Sequence, residues 1–155
     1  MKSTTLCLLL KDDKVLLAMK KRGVGVGKWN GVGGKVEEKE TIEQAAIRET
    51  REEIGIDLSG PRCLKNVGSL KFYFKDKPES NQHMHIFIAV NFSGEPAESE
   101  EMKPVWYSYG DVPFHAMWPD DIHWLPLVLA GKKIKGEFYF NEDGSTFDKF
   151  SLAEI

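Results

Sequence analysis

Short apolar runs dominate the chain, and helical spacing is confined to two stretches. Residues 3–10 are apolar with little alternation, which predicts a strand covered on both faces. The polar quartet Lys11-Asp12-Asp13-Lys14 predicts a hairpin turn into a second strand over 15–19. Gly23, Gly25, Gly27, Gly31, Gly33 and Gly34 then make a loop, with Trp29 and Asn30 in its middle. A helix follows over 41–54, with Thr41 suited to its start and Gly55 to its C-terminal cap. Strands are expected over 67–74 and 84–92, joined by a polar connection at 78–81, and a short one over 105–109. A second helix is expected over 120–129, kinked by Pro126, and a hairpin of 137–140 with 146–150 across residues 141–145. Many strands with two irregularly placed helices predict an α+β fold, or a mixed sheet flanked by helices. No linker divides the sequence, so one domain over 1–155 is expected.

Composition narrows the function. Twenty-one basic and 24 acidic residues give a net charge of −3. That balance offers no basic field for wrapping a nucleic-acid polymer, so phosphate must be bound locally, by metal ions or a few placed donors. Cys7 and Cys63 are too few for a disulfide framework and form no CxxC pair, as suits thiols in a reducing compartment. The apolar run Leu6–Leu10 is shorter than the ~7–15 residues of a signal core or the ~20 of a membrane span. A cytoplasmic protein with no membrane partner is the expectation.

The first helix carries the densest chemistry. At about 100° per residue, Glu49, Glu52 and Glu53 fall within an arc of roughly 100°, next to a stripe of Ile47, Thr50 and Ile54. Three carboxylates so close repel one another, and a divalent cation removes the repulsion. Oxygen ligands without His or Cys favour Mg²⁺ or Mn²⁺ over Zn²⁺. A solvated acidic surface paired with Arg48 and Arg51 would show the same pattern, and the helix alone leaves both readings open.

The wider spacing adds to this. Gly34, five residues, Glu40, seven residues, then Arg48-Glu49-Thr50-Arg51-Glu52-Glu53-Ile54-Gly55-Ile56 resembles the Nudix box, Gly-x5-Glu-x7-Arg-Glu-U-x-Glu-Glu-x-Gly-U, with U a bulky aliphatic residue. All seven fixed identities match, a coincidence of about 10⁻⁸ per start position at residue frequencies of roughly 7%. Thr50 departs at the first U. The resemblance implies a Nudix fold, a mixed β-sheet sandwiched between helices (α/β/α). It also implies hydrolysis of a nucleoside diphosphate linked to another group. Carried over by position, Glu49, Glu52 and Glu53 would be metal ligands, joined by the Gly33 carbonyl, with Mg²⁺ as cofactor and Mn²⁺ as a substitute. Arg48 would orient the glutamates and Glu40 would brace the loop.

Residues 19–35, 96–104 with Trp106, 113–121 and 136–140 further resemble animal members of this family that hydrolyse oxidised purine nucleoside triphosphates to monophosphate and pyrophosphate, sanitising the nucleotide pool. That likeness implies nucleoside contacts at Thr5, Asn30, Trp118, Pro119, Asp120 and Asp121, and further substrate contacts at Lys20, Val32, Gly33, Gly34 and Lys35. It implies a metal-binding role for Glu101, apolar pocket walls at Phe72, Phe74 and Met102, and a monomer acting on a small nucleotide. Each has a plainer alternative: a core tryptophan, an Asp120-Asp121 helix cap, a turn asparagine, solvated loop charge at Glu98, Glu100 and Glu101. His83 and His85 share a strand face like a metal pair, without an evident third ligand. Val24 and Val32 stand where those animal members carry aromatics, and the stretch around Gln82-His83 has no clear match. Lys39 replaces a usual glycine, at about 1 kcal/mol if the turn there is left-handed. Action on another nucleotide, or nucleotide sensing without cleavage, are the competing functions.

Overall fold

The structure, a computed structural model, describes residues 1–142 and 144–155. The elements in chain order are β1 (Lys2–Lys11), β2 (Lys14–Lys20), β3 (Trp29–Asn30), α1 (Ile42–Ile54), β4 (Leu64–Phe74), β5 (Gln82–Ala89), β6 (Met102–Ser108), α2 (Asp121–Leu129), β7 (Ile134–Phe140) and β8 (Phe147–Glu154). The strands hydrogen-bond in the order β3-β2-β1-β5-β4-β7-β8, and β6 joins the free side of β2. β1–β5 and β4–β7 are parallel and the other pairs antiparallel, so the sheet is mixed, as expected.

β1 explains the layering. Its unbroken apolar run is buried on both faces, and alternate residues serve two cores. Leu6 and Leu8 pack with Trp124, Leu125 and Val128 of α2. Cys7 and Leu9 pack with Ala46 and Ile54 of α1. One helix thus covers each face. The β1–β2 turn puts Asp12 and Asp13 at φ 53° and 59°, the primed-turn geometry that matches strand twist.

Local chemistry sets the ends of α1. The Thr41 side chain accepts from the Gln44 amide while the Gln44 side chain accepts from the Thr41 amide, and Gly55 closes the helix at φ 72°. α2 begins at Asp121, and Pro126 lies inside it. The Asp120 side chain makes no capping bond, which corrects the capping alternative: its Oδ2 accepts from the Trp124 Nε1–H at 2.8 Å. β5 spans 82–89 rather than 84–92. Val90 is exposed and Phe92 leaves the sheet to stack on Trp106 at 6.0 Å. The expected 141–145 turn includes residue 143, which lies outside the described residues.

Candidate active site

The loop after β3 is laid along the edge of β1. The Thr5 amide donates to the Gly34 carbonyl at 2.9 Å, Cys7 to Val32 at 2.6 Å, and Val36 to Ser3 at 2.9 Å. Two glycines make this approach possible. A Cβ on Gly33 would stand 1.9 Å from the Thr5 carbonyl oxygen, and one on Gly34 would stand 2.5 Å from Glu49 Oε1. Gly34 therefore lets the Glu49 carboxylate rest against backbone.

Arg48 ties the loop to the helix. Its Nε and Nη2 donate to the two oxygens of Glu40 at 2.8 and 3.0 Å, a fork-to-fork pair. Nη1 donates to Glu49 at 2.9 Å and Glu52 at 3.2 Å, and Nη2 also to the Lys35 carbonyl at 3.1 Å. The guanidinium holds the Glu40 carboxyl below the usual carboxylate range. Glu53 has no such partner. One of its oxygens is buried without a hydrogen bond. Burial first, and then the charge of Glu49, push its carboxyl up to about 8, against the Gly33 amide and the Lys20 ammonium.

The half-buried Glu49 and Glu53 carboxylates stand together with one oxygen of Glu53 orphaned, and the donors are all oxygen. That chemistry fits a hard divalent cation. Glu49, Glu53 and the Gly33 carbonyl are the groups that could hold one. Glu52, 59% exposed, is turned to Arg48, and among the described residues no three carboxylates, imidazoles or thiols are gathered for a metal as they stand. Glu101 is exposed and pairs with Arg22 at 3.1 Å. His83 and His85 lie with rings 4.3 Å apart, and His83 Nε2 is 3.0 Å from Ser69 Oγ.

On the opposite face of the sheet, towards α2, lies a chamber of about 560 Å³, of the size that small-molecule sites take. Asn30, Phe72, Phe74, Trp118, Asp120 and Asp121 line it. So do Met84 and Phe140, which sequence reasoning placed only in strands, and Gln82, from the stretch without a clear match. Strand register was the available signal, since Phe72 pairs with Gln82 and Phe138, and Phe74 with Phe140. Lys28 Nζ sits 5.1 Å from the Trp118 ring. Asp120 and Asp121 are 4% and 3% exposed. Burial raises both carboxyls; Asp121 rises further because it faces the charge of Asp120, whereas the Trp124 N–H and the Asp121 proton hold Asp120 back. Buried side by side, the two carboxyls favour holding a proton over ionising together.

Several expected contacts lie elsewhere. Thr5 shares the β1 face of Cys7 and Leu9, off the chamber wall, with its hydroxyl buried and unpartnered. Met102 packs in the α1-side core, and Val32 is buried there, which corrects the pocket-wall expectation for Met102. Lys20, Gly33, Gly34 and Lys35 belong to the acidic-helix side; Pro119 is not on the chamber wall.

Comparison with known proteins settles the family. The NUDIX domain matches residues 1–128. The chain belongs to the Nudix family. Nudix proteins typically depend on a divalent metal. The chain is 48% identical over 151 residues to the oxidized purine nucleoside triphosphate hydrolase of Mus musculus, covering 97% of this chain and 94% of that one. It is 50% identical over 139 residues to the protein of that name from Danio rerio, covering 90% and 86%. The crystal structure of a MutT protein from Bacillus halodurans matches with a TM-score of 0.83 at 27% identity, over 98% of this chain and 97% of that one.

Proposed function

We propose that the chain hydrolyses oxidised purine (deoxy)nucleoside triphosphates, of the 8-oxo-dGTP and 2-oxo-dATP type, to the monophosphate and pyrophosphate. The named activity of the two animal relatives supports this. The observation that carries it is the buried Asp120-Asp121 pair on the wall of an aromatic chamber, with both carboxyls raised by burial. Oxidation of guanine at C8 adds a keto oxygen and turns N7 from acceptor to donor. A carboxyl pair with one mobile proton can meet either arrangement, and so can admit both oxidised bases.

Glu49, Glu53, the Gly33 carbonyl and Glu52 would hold Mg²⁺, or Mn²⁺ in its place. Bound there, the ion would neutralise phosphate charge and polarise the phosphoryl oxygens. Glu52 gives up an exposed i,i+4 pair with Arg48 to join them, worth only about 0.3–0.5 kcal/mol. Arg48, held by Glu40, fixes where Glu49 stands. Lys20, near enough to lower the Glu53 carboxyl, offers a positive charge beside the phosphates. Asn30, Trp118, Asp120 and Asp121 hold the base, and Gly33, Gly34 and Lys35 supply backbone beside the phosphate chain. Water attacks the β-phosphorus. We place this activity in one domain spanning 1–155, acting as a cytoplasmic monomer. Among the described residues no helix is long and apolar enough to cross a membrane.

Steady-state kcat/KM for a panel of oxidised and ordinary nucleoside triphosphates with Mg²⁺ tests the reading. Preference for 8-oxo-dGTP or 2-oxo-dATP over dGTP and dATP is expected. A preference for CTP or another nucleotide, or binding without turnover, would overturn it.

A further inference from the structure

Gln82 sits in the stretch that the family resemblance leaves unmatched. Register places it beside Lys2 of β1 on one side and Phe72 of β4 on the other, on the face that floors the chamber. The wall around the half-buried Gln82 combines Phe72, Met84 and Phe140 with the polar Lys2, Lys77 and Ser80. An amide among apolar side chains is costly unless it is bonded. Half of that requirement is met from within the sheet, since Thr4 Oγ1, 9% exposed, donates to Gln82 Oε1 at 3.0 Å. With its oxygen engaged, the carboxamide has its Nε2 and two N–H donors left to offer. Asn30, Asp120 and Asp121 behave differently. The Asn30 oxygen accepts the Gly31 amide at 2.9 Å, and Asp120 and Asp121 are carboxyls that accept when ionised and donate when protonated. Gln82 cannot exchange roles.

We propose that Gln82 is a specificity-determining residue of the chamber, a fixed donor held by Thr4 as its positioning residue, which pairs with a keto oxygen of the bound base. This rests on the proposed nucleotide substrate and adds one element to it. Purine oxidation creates a keto oxygen, with two lone pairs for such a donor. A base with only C–H at that edge leaves the amide unpaired.

The test uses the full chain and its Gln82→Met, Thr4→Val and Thr4→Ser variants. The substrates are 8-oxo-dGTP, the deoxynucleoside triphosphate of unsubstituted purine, and a deoxyribose triphosphate lacking a base. Gln82→Met should lower kcat/KM on 8-oxo-dGTP by about 10- to 100-fold, mainly through KM, and leave the base-free substrate unchanged. Thr4→Val should lose several-fold on 8-oxo-dGTP alone, and Thr4→Ser, which keeps the hydroxyl, should restore it. No loss, or an equal loss on all three substrates, overturns the proposal. A second readout needs no turnover: the melting shift given by 8-oxo-dGMP without metal should shrink in Gln82→Met. If the wild type fails to cleave 8-oxo-dGTP while that shift still depends on Gln82, the proposed function falls and the donor role stands. A shift of equal size in both proteins removes the donor role.

Discussion

Replacing Asp121 by Asn tests the buried carboxyl pair through stability. Asp121 is 3% exposed, carries an orphaned buried oxygen and lies against Asp120. Its carboxyl is raised well above the ordinary value by burial and by the Asp120 charge. The folded state therefore keeps a proton that the unfolded chain gives up near pH 4. With more protons bound in the folded state, stability falls as pH rises from about 4, until the raised value is passed. One proton sets a ceiling of about 1.4 kcal/mol per pH unit on that slope. The amide introduced by Asp121→Asn would keep the volume and an N–H for Asp120, and it cannot ionise. Urea unfolding of both proteins without metal, from pH 3.5 to 8, should give curves that run parallel below pH 4. Above it they should diverge, with the variant gaining on the wild type. The difference between the curves isolates the Asp120-Asp121 pair, because the raised carboxyl of Glu53 and the lowered imidazoles of His83 and His85 contribute equally to both. A constant gap across the range would refute the retained proton and remove the physical basis for dual base recognition.

Glu53→Gln keeps side-chain size and should lower kcat at least about 100-fold, near 3 kcal/mol, with little change in melting temperature; near-normal turnover at saturating Mg²⁺ would exclude Glu53 from the metal site. Hydrolysis in ¹⁸O-water should label pyrophosphate, and label in the monophosphate would mean attack at the α-phosphorus instead. Lys39 sits at φ 69°, so Lys39→Gly should gain about 0.5–1 kcal/mol in urea unfolding while Lys39→Ala gains nothing. Equal stability of these two variants would show that the turn carries no Cβ strain.

What the sequence made legible was local chemistry. Thr41, Gln44 and Gly55 bound α1 through bonds within a few residues, so its limits could be read directly. The spacing from Gly34 to Gly55 carried the acidic site for the same reason: loop, helix and Arg48 lie within one continuous stretch. What was not legible depends on tertiary packing, or on which of two nearby partners a side chain takes. The apolar run through Phe92 looks like strand, yet Phe92 leaves the sheet because Trp106 offers it a ring to stack on. Asp120 looks like a cap, yet the Trp124 indole claims its oxygen. Thr5 and Met102 face the α1 side because strand alternation and the packing of β2 with β6 put them there.

The two halves of the site differ in how freely they can change. The acidic helix rests on one core and the chamber on the other, with β1 as the shared wall whose odd residues serve the first and even residues the second. Gly33 is pinned against the Thr5 carbonyl and Gly34 against Glu49, so a side chain at either meets backbone or the carboxylate itself. The chamber has no comparable pinning at Val24, which is 83% exposed on its glycine loop, or at Gln82, whose amide is held by a single hydroxyl. Both residues line the chamber, so substitutions there change its wall rather than the close-packed glycines beside the acidic helix. Of the departures, Val24 and Gln82 fall on the chamber wall, whereas Val32, Lys39 and Thr50 fall within or beside the box segment without replacing any of its seven fixed residues.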